Sequence, residues 1–250
     1  MRAYTFGVSD SSPDTSRPPV AGTLLWVLAL ASGLAPLATD MYLPALPDMV
    51  TELGTTTSTV QLTLSGFLLG MGAGQYVIGA LSDRLGRRGL FLLGLSLALG
   101  AGVISAIAGN VWILVFARFL MGLGLSAGAV LGRAIISDRT TGTQLGQQLS
   151  LMMVIQSVMP IAAPMLGSLL VPVIGWRGTM WVLAAASAVF LALVWRIVPE
   201  TLPEADRHTE PLGRVLLAPV KLLSSARFLL LTVAFSAGFG LIFAYISASS

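Results

Sequence analysis

Two residues of opposite charge, Asp40 and Arg118, stand inside apolar stretches of this sequence. A charged side chain at membrane depth is expensive, so it normally faces a cavity or a partner and marks an ion or substrate path. At a rise of about 1.5 Å per residue, Arg118 would lie roughly 10 Å inside the outer end of its stretch. Asp40 would lie at a similar depth in its own stretch. A pairing of the two side chains, direct or through water, is therefore geometrically possible.

The two residue types are suited to proton handling. A carboxyl group that is both buried and close to a cation can bind and release a proton as its surroundings change. Arginine keeps its proton and acts as a fixed charge. We therefore expect Asp40 to handle protons or a cationic substrate, with Arg118 tuning it. Two simpler interpretations stay open: Asp40 is solvated at the outer interface, and Arg118 is a hydrogen-bond hub between helices.

A second charged group surrounds the short turn between two apolar runs, Gly79 to Gly89. Charges at helix ends on one membrane face can pair when a cavity is closed on that side and separate when it opens. We interpret this group as a cytoplasmic gate, although the same charges could serve only to set topology. Its predicted members are Gly79, Asp83, Arg84, Gly86, Arg87, Arg88 and Asp138.

Other chemistry finds little support in the sequence. The pattern Gly124-Leu-Ser126-Ala-Gly128 matches a serine-nucleophile motif, but the chain's single histidine, His208, lies in a polar link. There is no phosphate-binding loop of the G-x-x-x-x-G-K-[ST] type and no cluster of metal-ligand spacing. The chain contains no cysteine. We expect no enzyme activity, no metal and no cofactor, so that energy would come from a gradient.

The elements that must position these residues are membrane-spanning helices. The chain is 55% hydrophobic and only 10% charged, and its apolar residues fall in blocks long enough to cross a bilayer. Such blocks can only be helical, because open sheet edges cannot satisfy their backbone in lipid. The predicted spans are 21–45, 60–81, 89–109, 111–133, 147–171, 176–198 and 228–248.

Charge distribution orients these spans. With the amino terminus in the cytoplasm, every Lys and Arg of the connecting segments lies on the cytoplasmic side except Arg177. The basic residues are scattered over loops, so no nucleic-acid partner is expected. We predict a disordered cytoplasmic tail (1–20), a six-helix bundle (21–198), a cytoplasmic linker (199–227) and a seventh span (228–250). The amphipathic part of the linker, from Leu212 to Ala226, could either tether two bundles or sense lipid.

Two further sets of residues suggest packing and substrate contacts. Small residues and prolines in the fourth and fifth spans favour close and bendable helix contacts. These are Gly122, Gly124, Gly128, Pro160, Pro164 and Gly167. The polar residues expected near a cavity are Gln61, Gln75 and Gln156, which are too few to define a substrate.

These segments together resemble the major facilitator superfamily, and within it drug:proton antiporters of the bicyclomycin-resistance (Bcr/CflA) type. The resemblance rests on the turn G-x-L-x-D-R-x-G-R-R from Gly79 to Arg88 and on Thr39-Asp40-Met-Tyr-Leu-Pro44-Ala-Leu-Pro47. Arg118-Phe-Leu-Met-Gly122-Leu-Gly124, Arg133-Ala-Ile-Ile-Ser-Asp138, Gly175-Trp176-Arg177 and Pro199-Glu-Thr-Leu-Pro203 also fit. The antiporter pattern G-P-x-x-G-G reads Ala163-Pro164-Met-Leu-Gly167-Ser168 here, so two of its glycines are replaced.

The resemblance implies an all-α integral membrane fold: a six-helix half-bundle built as a 3+3 inverted repeat, followed by a seventh transmembrane helix. It implies export of amphipathic compounds in exchange for protons across a bacterial inner membrane, with Asp40 as the proton-linked acid. Twelve helices are implied, so either a second chain completes the bundle or this chain is a fragment. Two alternatives remain: a non-transporting half-bundle that needs a partner chain, and a small-metabolite carrier of the same fold.

Overall fold

The computed structural model describes residues 22–203, 205, 225–226, 228–234 and 236–237. Residues 22–197 are almost entirely helical. Five helical stretches of the described residues are long and apolar enough to cross a membrane, and the first of them runs from Gly22 to Glu52. The helices are α1 (Gly22–Asp40), α2 (Leu46–Glu52), α3 (Thr57–Leu85), α4 (Arg87–Ile107), α5 (Val111–Arg139) and α6 (Gly142–Ile197), with a 3₁₀ turn at Leu43–Ala45.

Helix α6 contains two spans rather than one. Its 56 residues are more than twice the number that a bilayer crossing requires. Gly175 interrupts the helix with φ 65° and ψ 179°, a backbone conformation that glycine adopts without steric cost. The parts before and after Gly175, here called α6a and α6b, correspond to the predicted fifth and sixth spans. The six spans predicted between residues 21 and 198 are therefore present.

The helix ends explain where the chain turns. The side chain of Thr56 accepts a hydrogen bond from the backbone N–H of Thr59 (3.3 Å), and that of Asn110 accepts one from Trp112 (2.7 Å). These are N-caps, which satisfy amide groups that a helix start leaves unpaired. On the opposite face of the membrane, α3 and α5 continue to Leu85 and Arg139. Both run beyond the predicted limits of 81 and 133, because a helix need not end where the hydrocarbon does.

Helix α5 lies at the centre of the bundle and carries the glycines that allow this. A methyl group on Gly122 would overlap the carbonyl oxygen of Phe67 in α3, and one on Gly124 would overlap that of Gly94 in α4. A methyl group on Gly128 would lie 2.6 Å from the carbonyl oxygen of Ala31 in α1. Each of three neighbouring helices therefore approaches α5 backbone to backbone, as small residues permit in membranes.

Contacts divide the chain into two compact units, Met1–Arg207 and His208–Ser250. In the second unit, residues 228–234 are helical, and apolar side chains such as Leu230 and Leu231 are exposed. The rest of the seventh predicted span, most of the linker and the amino-terminal tail lie outside the described residues. The proposed division at 199–227 stays a prediction.

Candidate functional site

Arg118 is completely buried, and two aromatic rings enclose its guanidinium group. The central carbon of that group lies 4.3 Å from the ring centre of Tyr42 and 4.5 Å from that of Phe67. Such stacking attracts a cation to the electron-rich faces of the rings. Arg118 itself is 0% exposed, as are both aromatic residues. The charge is therefore held inside the bundle between α5, α3 and the segment that follows α1.

Hydrogen bonds complete the surroundings of Arg118. Its Nη2 donates to the carbonyl oxygen of Ala38 in α1 (2.7 Å), and Nη1 contacts the sulfur of Met121 (3.4 Å). Its Nε is buried and has no hydrogen-bond partner within the described part of the chain. The geometry matches the interpretation of Arg118 as a hub between helices. It also leaves the Nε–H group of the cation without a partner among the described residues.

Asp40 is the last residue of α1 and is partly exposed. Its charge and that of Arg118 attract one another, but among the described residues no ion pair joins them. The helix ends at Asp40 because the chain then enters a 3₁₀ turn that contains Pro44. The structure thus places the two predicted residues in one region, with the acid at the surface of the bundle and the cation inside it.

The cytoplasmic group is more completely connected than the sequence indicated. Arg87 donates from Nη1 to Ser82 Oγ (2.5 Å) and Asp83 Oδ1 (2.6 Å), and from Nε to Asp138 Oδ2 (3.1 Å). Only 10% of its side chain is exposed. One guanidinium group therefore joins the end of α3 and the end of α5 to the start of α4. The planar fork of donors of an arginine permits these simultaneous hydrogen bonds.

Glu200 and Thr201, which follow α6b, belong to the same network and were not predicted. The Glu200 carboxylate accepts the backbone N–H groups of Arg87 (2.8 Å) and Arg88 (3.2 Å) at the start of α4. Thr201 donates to Asp138 Oδ2 (2.8 Å). An acid is favourable at a helix N-terminus because the amide groups there are unpaired. The available signal was an acidic residue just after a span, the same signal that identified Asp138.

The remaining residues of the predicted gate shape the turn. Gly86 has φ 88°, so a side chain there would strain the backbone. Arg84 lies in the last turn of α3, where a cation complements the helix dipole. Arg88 donates from Nη2 to the carbonyl oxygen of Trp195 (2.6 Å), which ties α4 to α6b. Nothing lies within 4 Å of the position of a methyl group on Gly79.

A third cluster, which the sequence did not reveal, lies at the opposite ends of the helices. Glu52 at the end of α2 accepts hydrogen bonds from Trp176 Nε1 and from Arg177 Nη1. Arg177 also donates to the carbonyl oxygen of Ala108 after α4 (2.8 Å) and stacks on the Trp176 ring at 4.1 Å. The outer ends of α2, α4 and α6b are thereby joined.

The predicted cavity glutamines do not converge. Gln61 and Gln75 are exposed on α3, and their separation of fourteen positions corresponds to about 21 Å along a helix. Gln156 in α6a accepts a weak hydrogen bond from Arg133 (3.4 Å). A small ligand could not contact both α3 glutamines at once.

The predicted residues of α6a differ in their surroundings. Gly167 is buried, and a methyl group on it would overlap the carbonyl oxygen of Met41 beside Asp40. Pro160 is exposed and Pro164 is partly buried within α6a. Gly167 therefore lets α6a approach the end of α1, whereas the two prolines stand nearer the surface.

Comparison with known proteins identifies the family. The model of the Major Facilitator Superfamily matches residues 28–249. The chain belongs to the major facilitator superfamily. Relatives include an uncharacterized MFS-type transporter YdgK of Bacillus subtilis, 38% identical over 90% of this chain and 56% of that protein. A chloramphenicol resistance protein of Pseudomonas aeruginosa is 36% identical over 92% of this chain and 54% of its own length.

The bicyclomycin-resistance resemblance is confirmed by another relative. A bicyclomycin resistance protein homolog of Haemophilus influenzae is 31% identical over 91% of this chain and 58% of that protein. The human organic anion transporter MFSD10 has a similar fold, with a TM-score of 0.66 and 22% identity over 83% of this chain and 55% of that one. The all-α membrane fold predicted for this superfamily is thus confirmed. The chain spans little more than half the length of each of the three bacterial relatives named above.

Proposed function

We propose that this chain forms the amino-terminal half of a proton-coupled exporter of amphipathic small molecules. One observation carries the proposal: Arg118 is buried and forms no ion pair within the described residues, while Asp40 stands nearby and is partly exposed. An acid in this position can exchange its proton with a water-filled cavity.

The proposed cycle uses alternating access. The half-bundle would rock as one body against a second half, which could come from further sequence or from a second chain. Protons and substrate would exchange at Asp40 from opposite sides of a bacterial inner membrane, with the amino terminus in the cytoplasm. The cluster around Arg87 would act as the inner gate, since its ion pairs lie at helix ends on the cytoplasmic side.

The choice of amphipathic substrates rests on two observations. Relatives carry names that refer to chloramphenicol and bicyclomycin resistance, and the exposed faces of the bundle are mainly apolar. The scattered positions of Gln61, Gln75 and Gln156 favour no specific polar metabolite, which makes the small-metabolite carrier the weaker alternative.

Resistance measurements in an efflux-deficient bacterial host test the proposal. The chain is expressed alone and together with the carboxyl-terminal half of the Pseudomonas aeruginosa relative, and growth in chloramphenicol is compared with an empty vector. Asp40→Asn is expected to abolish any resistance. Asp48→Asn is the matched control, since Asp48 is exposed in α2 eight positions further on.

The outcomes separate the candidate functions. Resistance from the chain alone would mean that copies of it complete a transporter. Resistance only with the second half would mean that it works as half of one. If neither combination protects cells in which the chain is shown to be inserted, or if protection survives Asp40→Asn, the proton-coupled export mechanism is refuted. The non-transporting half-bundle would then be the better description.

A further inference from the structure

Tyr42 contacts Arg118 and is itself fixed in place. Its hydroxyl lies 3.1 Å from Thr63 Oγ1, and Thr63 donates to the carbonyl oxygen of Val60 at 2.6 Å. A hydroxyl has one hydrogen, so Thr63 can only accept from Tyr42. The phenol proton of Tyr42 is therefore committed to α3, and the phenol oxygen and the ring face both remain available to the Arg118 guanidinium group.

The opposite face of Arg118 is closed in a comparable way. Phe67 reaches it from α3, four residues after Thr63, which places both side chains on one side of that helix. The close approach of α3 to α5 is possible because position 122 is glycine, where a methyl group would overlap the Phe67 carbonyl oxygen. The two rings therefore form a rigid enclosure, here called the aromatic clamp (Tyr42, Phe67).

A buried arginine normally needs compensation, usually from a carboxylate. Here the aromatic clamp, the Ala38 carbonyl oxygen and the Met121 sulfur supply it. Within the described residues, the titratable and charged groups that interact with Arg118 or Asp40 are these two and Tyr42. The neighbours from α3 and α6a, Thr63, Phe67 and Gly167, carry no charge. Asp40 is therefore the one acid among these groups to which a released Arg118 could turn.

We infer that Tyr42 is a positioning residue that keeps Arg118 from pairing with Asp40 and so leaves Asp40 able to take up a proton. This inference rests on the proposed function and adds a residue to it. The clamp holds the cation near enough to act on the acid through space, while Nη1 contacts Met121 and Nη2 donates to the Ala38 carbonyl oxygen. With the Tyr42 ring absent, Arg118 would lose half of its enclosure and turn to Asp40. Asp40 would then hold its proton less well.

Infrared titration of the 250-residue chain in lipid nanodiscs tests this without requiring transport. The carboxyl band of Asp40 is identified as the band that disappears in Asp40→Asn, and its pH midpoint is followed. Tyr42→Leu is expected to move the midpoint toward acid by about one pH unit or more, the usual effect of a new ion pair. Tyr42→Phe keeps the ring and loses only the hydroxyl, so it is expected to move the midpoint less than Tyr42→Leu does.

Phe67→Leu removes the other ring and serves as the second test if Tyr42→Leu fails to fold. The same acid shift supports the inference. An unchanged midpoint in a folded ring-deletion variant, or an equal shift in Tyr42→Phe, overturns it while leaving the proposed function intact. A wild-type chain in which Asp40 does not titrate at all overturns both, because the proposed function then has no proton-binding acid.

Discussion

Replacement of Gly128 by alanine measures how tightly the helices around Arg118 are packed. The new methyl group would lie 2.6 Å from the Ala31 carbonyl oxygen, 3.0 Å from the Ala31 carbonyl carbon and 3.2 Å from the Ser32 Cα. Carbon atoms in contact prefer about 3.5–4.0 Å. Because the obstacle is backbone on α1, no side-chain rotation relieves it, and α1 must move away from α5 by several tenths of an ångström or more.

The free energy of this change has two parts. Overpacking in a well-packed interior costs about 1–3 kcal/mol. Alanine stabilises a helix over glycine by about 1 kcal/mol, which offsets part of that cost. We expect Gly128→Ala to lower the free energy of unfolding by up to about 2 kcal/mol. Gly100→Ala in α4 should leave stability unchanged or raise it, since nothing lies within 4 Å of that methyl group.

The assay is equilibrium unfolding of the purified chain in dodecylmaltoside with increasing sodium dodecyl sulfate, followed by circular dichroism. The two alanine variants are compared with wild type under identical micelle composition. If Gly128→Ala is as stable as Gly100→Ala, the backbone approach of α1 to α5 is not as close as described. The position of Ala38 against Arg118 would then need revision, because the same two helices provide that contact.

Two further predictions concern the cytoplasmic cluster and the topology. Asp83→Asn weakens one of the two ion pairs of Arg87. Transport by a complete protein should therefore fall, while membrane insertion, checked by fractionation, should be unaffected. Undiminished transport would contradict the role of this cluster as a gate. Because the chain has no cysteine, a single introduced cysteine is the only residue of the chain that a maleimide can label. In intact cells, a membrane-impermeant maleimide should label Ser58→Cys and should not label Thr141→Cys. The reverse pattern would contradict a cytoplasmic amino terminus.

The sequence was sufficient for the spans and for the charged residues because both are local signals. A block of apolar residues must be helical in lipid, and a charge within such a block stands out. The turn motif and Asp138 were also predictable, because acids and arginines at the ends of neighbouring spans lie on the same face of the membrane and can pair there.

The partners of Arg118, of Arg177 and of the amino terminus of α4 were not predictable. In the sequence, Tyr42 and Phe67 are aromatic residues like others within apolar stretches. Only the three-dimensional packing of α1 and α3 on α5 reveals that their rings enclose Arg118. Pairing between residues as distant as Glu52 and Arg177 depends on the same packing. A carboxylate such as Glu200 gives no sign in sequence that it will cap a helix more than a hundred positions earlier.

The distribution of these contacts indicates how the half-bundle can move. The cluster around Arg87 joins α3, α4 and α5 to the segment after α6b, and the cluster around Arg177 joins α2, α4 and α6b. Each cluster therefore connects helices of the first three spans to helices of the last three. Bending one set of three against the other would break charged hydrogen bonds at both ends, and such bonds are among the stronger ones in proteins. Rotation of all six spans together breaks none of them. Arg118 and its aromatic clamp lie between the two clusters, so they would move as part of that rigid body. Asp40, which is partly exposed at the end of α1, is the charged group of this region that is placed to contact a second half.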